Sequence, residues 1–524
     1  MKFKLGMAAG LLAALALSAG VAKAEPVPGG TLRVLVHPEP PHLVLALGQA
    51  SGTATIGSKI YESLLTYDFD NNPQPGLAKS WEVSEDGLSY TFRLQENVKW
   101  HDGEPFTAAD VVFTTQEFLQ ETHPRARTAF SRVETVTTPD DYTVVYKLKE
   151  RFSPFIYAFE VSSAPIMPEH LYRGQPFDTN PVNENPIGTG PFKFVEWQRG
   201  QHVRLEKFED YWVEGQPYLD GITFHFIPDP TARTIALEQG MVDMAQFDAV
   251  QMSDVERLRN NENLVLADKG MEFLSPLILL DMNSRVPPMD DVRFRKAVMH
   301  AMDRDFVRDR IFYGQGRVPT GPIASTTRYY DPNVTIYDYN PEKAKALLDE
   351  MGLESDADGM RAEIRLIPLP YGEHWTRFGE YLREALSKIG VRVRMENADA
   401  ATWVQRYTNW DYGMTYTFFY QYADPALGVS RTYLCDNVRK VFLANANGYC
   451  NERVDELFEL ATEEMNETQK QAHYTELQQI ITDEVPMGFI LELQFPVVMN
   501  KDVRDAITTA VGANDNFART WLDR

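Results

Sequence analysis

Residues 362–396 constrain this chain more than any other stretch. "AEIRLIPL" (362–369) alternates apolar and polar side chains as a half-buried strand does. In "FGEYLREALSKIG", Phe378, Tyr381, Leu382, Ala385, Leu386 and Ile389 fall on one helical face, and Gly390 is placed to end the helix. "VRVRME" (391–396) then alternates again. Strand, helix and strand in immediate succession need a crossover, and such a crossover favours a parallel pair. The fold class is α/β.

The same periodicities recur along the chain. Alternation marks strands at 31–36, 90–94, 142–149, 202–208 and 222–227, and helical spacing marks 290–312, 340–352, 452–464 and 467–483. At the second of these helices Asn340 can cap, Pro341 suits the first turn and Gly352 closes. "WHDGEPFTAADVV" (100–112) sets Trp100, His101 and Asp102 side by side, which invites a catalytic reading. A catalytic His–Asp pair, however, needs a nucleophile in reach and a third group to orient the base. Asp102-Gly103 is a turn signal, Thr107 stands where an N-cap belongs, and Asp110 can reach back to it. The stretch is expected to be a turn leading into a helix near Ala108.

At 524 residues the chain exceeds one hydrophobic core and should divide into two to four lobes. Its first 24 residues carry Lys2 and Lys4, an apolar run "LGMAAGLLAALAL", and Ala22-x-Ala24, the pattern of a secretory signal peptide cleaved after Ala24. Loss of Lys2, Lys4 and Lys23 takes the formal charge from −24 to −27, a surface that repels phosphate backbones and makes nucleic acid an unexpected partner. Cys435 and Cys450 are the only cysteines, and in an exported chain they are expected to form one disulfide, the alternative being two buried thiols.

"GLAKSWEVSEDGLSYTFRLQENVKWHDGEPFTAADVVFTTQ" (76–116) resembles the signature region of the family 5 extracytoplasmic solute-binding proteins, receptors of peptide, nickel, opine and oligosaccharide ABC importers. The likeness continues, in the family's order, through "NPIGTGPFKFVEW" (185–197), "TARTIALEQGMVDM" (231–244), "FRKAVMHAMDRDFV" (294–307) and "YNPEKAKALL" (339–348). The resemblance implies a type II periplasmic-binding-protein fold of cluster C, two hinged lobes plus an extra domain. Lobe I would take 25–60, 185–274 and 491–524, the extra domain 61–184, and lobe III 275–490, with hinge crossings near 270–277 and 490–498. It also implies a periplasmic monomer that closes on a small solute and hands it to the transmembrane subunits of an ABC permease. No cofactor and no catalytic activity are implied.

Aromatic residues crowd 371–422, and ligand clefts are lined by aromatic and apolar groups with a few placed polar ones. Tyr371, Trp375, Trp403 and Tyr420 are the candidates among them; Tyr420 and Gln421 stand near the end of a strand expected over 414–422. Peptide-binding members of the family place an aspartate four residues before the proline of a segment like "QYADP", on the peptide's amino group; here that position is the neutral Gln421, and Asp424 supplies a carboxylate three residues on. Dipeptide-binding members carry an arginine before "PY"; here Leu369 stands there, and Arg377 and His374 are the candidate substitutes. An amine closed into a cleft without a charged partner would be disfavoured by several kcal/mol. Free peptide termini are therefore not the obvious ligand, and a sugar, an opine-like conjugate or a blocked peptide suits this set better.

The ten histidines are scattered with no HExxH, so no metal site is expected. GxSxG, GxxxxGK[ST] and GxGxxG are absent, which disfavours the common hydrolase and nucleotide-binding classes. The rival readings are an exported hydrolase without these motifs and a chaperone-like binder of extended polypeptide on the same fold.

Overall fold

The computed structural model describes residues 25–48 and 50–524, apart from the side chains of Pro124 and Asp248. The expected leader, 1–24, lies outside the described residues. Three large sheets organise the rest. A seven-stranded mixed sheet runs in the order Leu264–Ala267, Val497–Asn500, Met244–Gln246, Thr31–Leu35, Gly221–His225, His202–Lys207, Phe192–Gln198. A six-stranded sheet runs Gly316–Arg317, Met487–Leu493, Leu277–Met282, Met414–Phe419, Ala362–Ile367, Val391–Met395. An antiparallel four-stranded sheet is built from Ala78–Val83, Ser89–Leu94, Thr143–Leu148 and Val133–Asp140.

The 362–396 unit forms as its periodicity requires: Ala362–Ile367 and Val391–Met395 pair in parallel, and helix Glu373–Ser387 connects them. In the interior of the same sheet, Leu277–Met282 and Met487–Leu493 are buried along their whole length. Covered on both faces, they lack the alternation that marks a half-exposed strand.

Two expected elements differ. The run 290–312 is not one helix: Val292–Ala301 stops at Met302, whose backbone is extended, and the chain restarts at Arg304 under the cap of Asp303, whose side chain accepts from Phe306 N at 2.9 Å. The strand expected over 414–422 ends at Phe419. Tyr422 and Ala423 take φ of 53° and 63°, which no strand can contain.

The stretch 100–112 is the turn it promised to be. Thr107 caps helix Ala108–Phe113 in a capping box with Asp110, whose Oδ2 accepts from Thr107 N at 2.9 Å. His101 is pinned to the main chain of the 188–190 segment through Gly190 O at 2.9 Å, while Asp102 pairs with His170 at 2.8 Å. His101 and Asp102 therefore serve different partners. Cys435 and Cys450 are joined as a disulfide.

The chain passes between the seven- and six-stranded sheets twice, through 268–276 and through 494–496. Phe495, in the second passage, sits between the two bodies: its ring centroid lies 5.4 Å from that of Phe247 and 5.5 Å from that of Phe418.

A candidate ligand cleft

The loop 420–424 is tied to the first passage. Gln421 N donates to Leu274 O at 2.7 Å and Ala423 N to Phe273 O at 2.8 Å, so the loop hangs on 273–274 by its backbone. The Gln421 side chain, 2% exposed, accepts from Ala324 N and donates to Pro322 O, each at 2.9 Å. Glu492 holds the neighbouring Ser325 through its amide at 2.9 Å and its hydroxyl at 2.5 Å; burial raises the Glu492 pKa against these two hydrogen bonds. Segment 322–325 is thus clamped from two sides.

Asp424, fully buried, caps the short helix Pro425–Gly428 through Ala426 N at 2.9 Å and pairs with Lys470 Nζ at 3.1 Å. Lys470 also donates to Ser153 Oγ at 2.8 Å, which links the six-stranded body to the segment beside the four-stranded sheet. Gln421 and Asp424, two of the three polar residues that the sequence offered as ligand contacts, therefore already hold the protein's own groups.

The aromatic candidates fall into two sets. Trp403, 1% exposed, stacks on Tyr407 at 5.2 Å and donates from Nε1 to Thr415 Oγ1 at 3.0 Å; Tyr407 stacks in turn on Tyr412 at 5.8 Å. Tyr371 lies 6.4 Å from Trp403 and is 46% exposed. The second set runs from buried Trp375, stacked on Phe418 at 5.9 Å, to Tyr420 at 5.6 Å from Phe418 and on to Tyr422 at 5.9 Å. Tyr420 and Phe418 are half-buried and, with Phe495, stand where the two bodies meet. Arg377 donates to the Tyr313 hydroxyl and has that ring 5.6 Å from its Cζ.

The sequence singled out neither Arg431 nor Arg125. Arg431 follows helix Pro425–Gly428, and Arg125 belongs to helix Pro124–Phe130, beside the four-stranded sheet; both border Tyr422. A single arginine in a loop or on a short helix reads as a solvated charge, and only the fold brings these two to one ring.

Two α/β bodies joined by paired passages, with aromatic residues where they meet, define a receptor class that holds a solute between lobes. The chain belongs to the bacterial extracellular solute-binding proteins, family 5: the family's "Middle" profile matches residues 72–439. It is 28% identical to di/tripeptide-binding protein 2 of Pseudomonas aeruginosa (strain UCBPP-PA14) over 477 residues, 86% of each chain. Among solved structures it resembles the oligopeptide-binding protein AppA of Bacillus subtilis in complex with a nonapeptide, at 26% identity and a TM-score of 0.79, covering 95% of this chain and 100% of that one. It also resembles the ABC transporter substrate-binding protein CtaP of Listeria monocytogenes, at 25% identity and a TM-score of 0.83, with coverage of 95% and 100%. These relatives are solute-binding proteins, not enzymes.

Proposed function

We propose that the chain is the periplasmic solute receptor of an ABC importer, that it binds a peptide-like, opine-like or oligosaccharide solute as a monomer, and that it delivers this solute to a membrane permease. In this reading 1–24 is a cleaved leader, 25–60, 185–274 and 491–524 form one lobe, 61–184 the extra domain, and 275–490 the opposing lobe. Family membership and the peptide-binding relatives support the reading. The observation that carries it is the pair of passages between the two sheets, with Phe495 of the second packed against Phe418 and Phe418 against Tyr420.

Two covalent links permit rotation about a shared axis without unfolding either lobe. A solute that touches both lobes only when they meet shifts the population toward closure by its differential affinity. Tyr420 and the exposed Tyr371 are assigned to the solute. Trp375 and Trp403 are assigned to the wall behind them, Gln421 and Asp424 to the frame that holds loop 420–424, and Arg377 to the Tyr313 contact at the margin.

Small-angle scattering of the mature protein against fractionated small-molecule pools tests this. One compound should reduce the radius of gyration and be recovered chemically unchanged. An unchanged radius with every pool, or conversion of the compound, rejects the receptor.

A further inference from the structure

Buried arginines elsewhere in the six-stranded body are well supplied with partners. Arg304 donates to the carbonyls of Pro319, Phe489 and Tyr337 at 2.7–3.0 Å, and Arg295 donates to those of Met289, Glu484 and Val485 at 2.8–2.9 Å. Arg431 departs from this pattern. Its Nε is sealed from solvent with no hydrogen-bond partner, its Cζ lies 5.2 Å from the Phe419 ring centroid, and no ion pair reaches it among the described residues.

Arg125 approaches from the other side. Its Cζ lies 4.0 Å over the Tyr422 ring and its Nη2 donates to Ser162 O at 2.9 Å, but its Nε is likewise sealed without a partner, and among the described residues it too has no ion pair. The two guanidiniums are near enough to repel. Burial, and then the charge of Arg125, hold the Arg431 pKa below the usual arginine value against the opposing pull of Tyr422.

Two like charges, partly desolvated and without a counter-ion, are an expensive arrangement in any protein. They are more unexpected in a chain whose formal net charge is −24. A planar guanidinium presents paired donors that match a carboxylate or a phosphate.

We propose that Arg125 and Arg431 form a two-guanidinium site around Tyr422 that receives an anionic group of the captured solute, a carboxylate or a phosphate. The proposal rests on the receptor reading and narrows it to solutes that carry a negative group and need no ammonium partner, because the amide of Gln421 is held by main-chain groups. The two arginines belong to different sheet bodies. An anion that engages both gains its full set of contacts only where those bodies meet, so the site would also favour the assembled cleft.

Calorimetric titration of the mature protein with three probes tests this: N-acetyl-trialanine, which has a carboxylate and no amine, its C-terminal amide, which has neither, and glycerol 3-phosphate. One of the two anions should bind with a Kd below about 1 mM and about tenfold or more tighter than the amide; which of them binds identifies carboxylate or phosphate. R431Q and R125Q should each weaken that binding by about tenfold or more, and R431K should retain most of it. Melting curves of each variant establish that it is folded.

The proposal is overturned if neither anion binds in that range, if the amide matches the acid, or if a folded Gln variant binds as the parent does. A protein that compacts with some compound from the pools yet fails these arms loses the anion site and keeps the receptor function. A protein that compacts with none loses both.

Discussion

Replacing Asp424 by Asn separates a framework role from contact with the solute. The carboxylate lies 3.1 Å from Lys470 Nζ, with side-chain exposures of 0% and 3%, so water screens little of the interaction. Removing one member of a buried pair leaves the other charge stranded, at a cost of about 3–5 kcal/mol. Asn keeps an oxygen for Ala426 N, so the helix cap survives; Asp424→Ala would lose that as well, about 1 kcal/mol more. Unfolding entropy of roughly 2.1 cal/mol/K per residue, summed over about 500 residues, gives ~1 kcal/mol/K, so D424N should lower Tm by ~3–5 °C if the chain melts as one unit. If the six-stranded body melts alone the shift should be about twice that. Differential scanning calorimetry of the ligand-free protein reads this directly. Adding Lys470→Met should restore most of the loss, because it removes the stranded ammonium. A D424N protein that melts within a degree of the parent while losing its solute would refute the framework role and return Asp424 to the ligand.

Gln421→Ala should destabilise the empty protein by about 2–4 kcal/mol in urea melts, since Pro322 O and Ala324 N both lose their partner in a buried place; an unaltered midpoint would show that 322–324 does not depend on the brace. Breaking the Cys435–Cys450 bridge, which closes a loop over a separation of 15 residues, should lower stability by about 3 kcal/mol and open 436–449 to proteolysis, as mass spectrometry of the fragments would reveal. Burial holds His101 at about 4, below its ordinary 6.5, so the folded state binds fewer protons than the unfolded chain. The corresponding stability is present above pH 6.5 and is lost as pH falls toward 4, about 3 kcal/mol in all. In pH-dependent denaturant melts, His101→Asn should flatten that acid limb, and an identical slope in both proteins would exclude His101 as its source.

Much of this fold is legible in the sequence, and the exceptions share a cause. Strands with one covered face announce themselves by alternation, as Ala362–Ile367 and His202–Lys207 do. Leu277–Met282 and Met487–Leu493 carry no such mark because neighbours cover them on both sides. Caps were readable at Thr107 and Asn340, since donor and acceptor lie within a few residues. The polar residues of the site were harder to interpret. An amide at a strand's end suggests a ligand contact, but the groups that hold Gln421 lie 97 and 99 residues away, and the lysine that neutralises Asp424 lies 46 away. Arg125 and Arg431 gave no local signal at all, because their significance is the counter-ion that neither has among the described residues.

The paired passages at 268–276 and 494–496 also limit the paths open to the protein. A body pinned at one point can swing about any axis through that point; pinned at two, it keeps a single axis, like a door on its pins. If the chain works as the proposed receptor, every approach of one wall to the other retraces the same arc, so side chains that must meet across the gap need be aligned along one trajectory only. Cutting the peptide chain within 494–496 would leave each wall intact and turn that arc into a wobble, with the rings beside Phe495 the first contacts to lose their register.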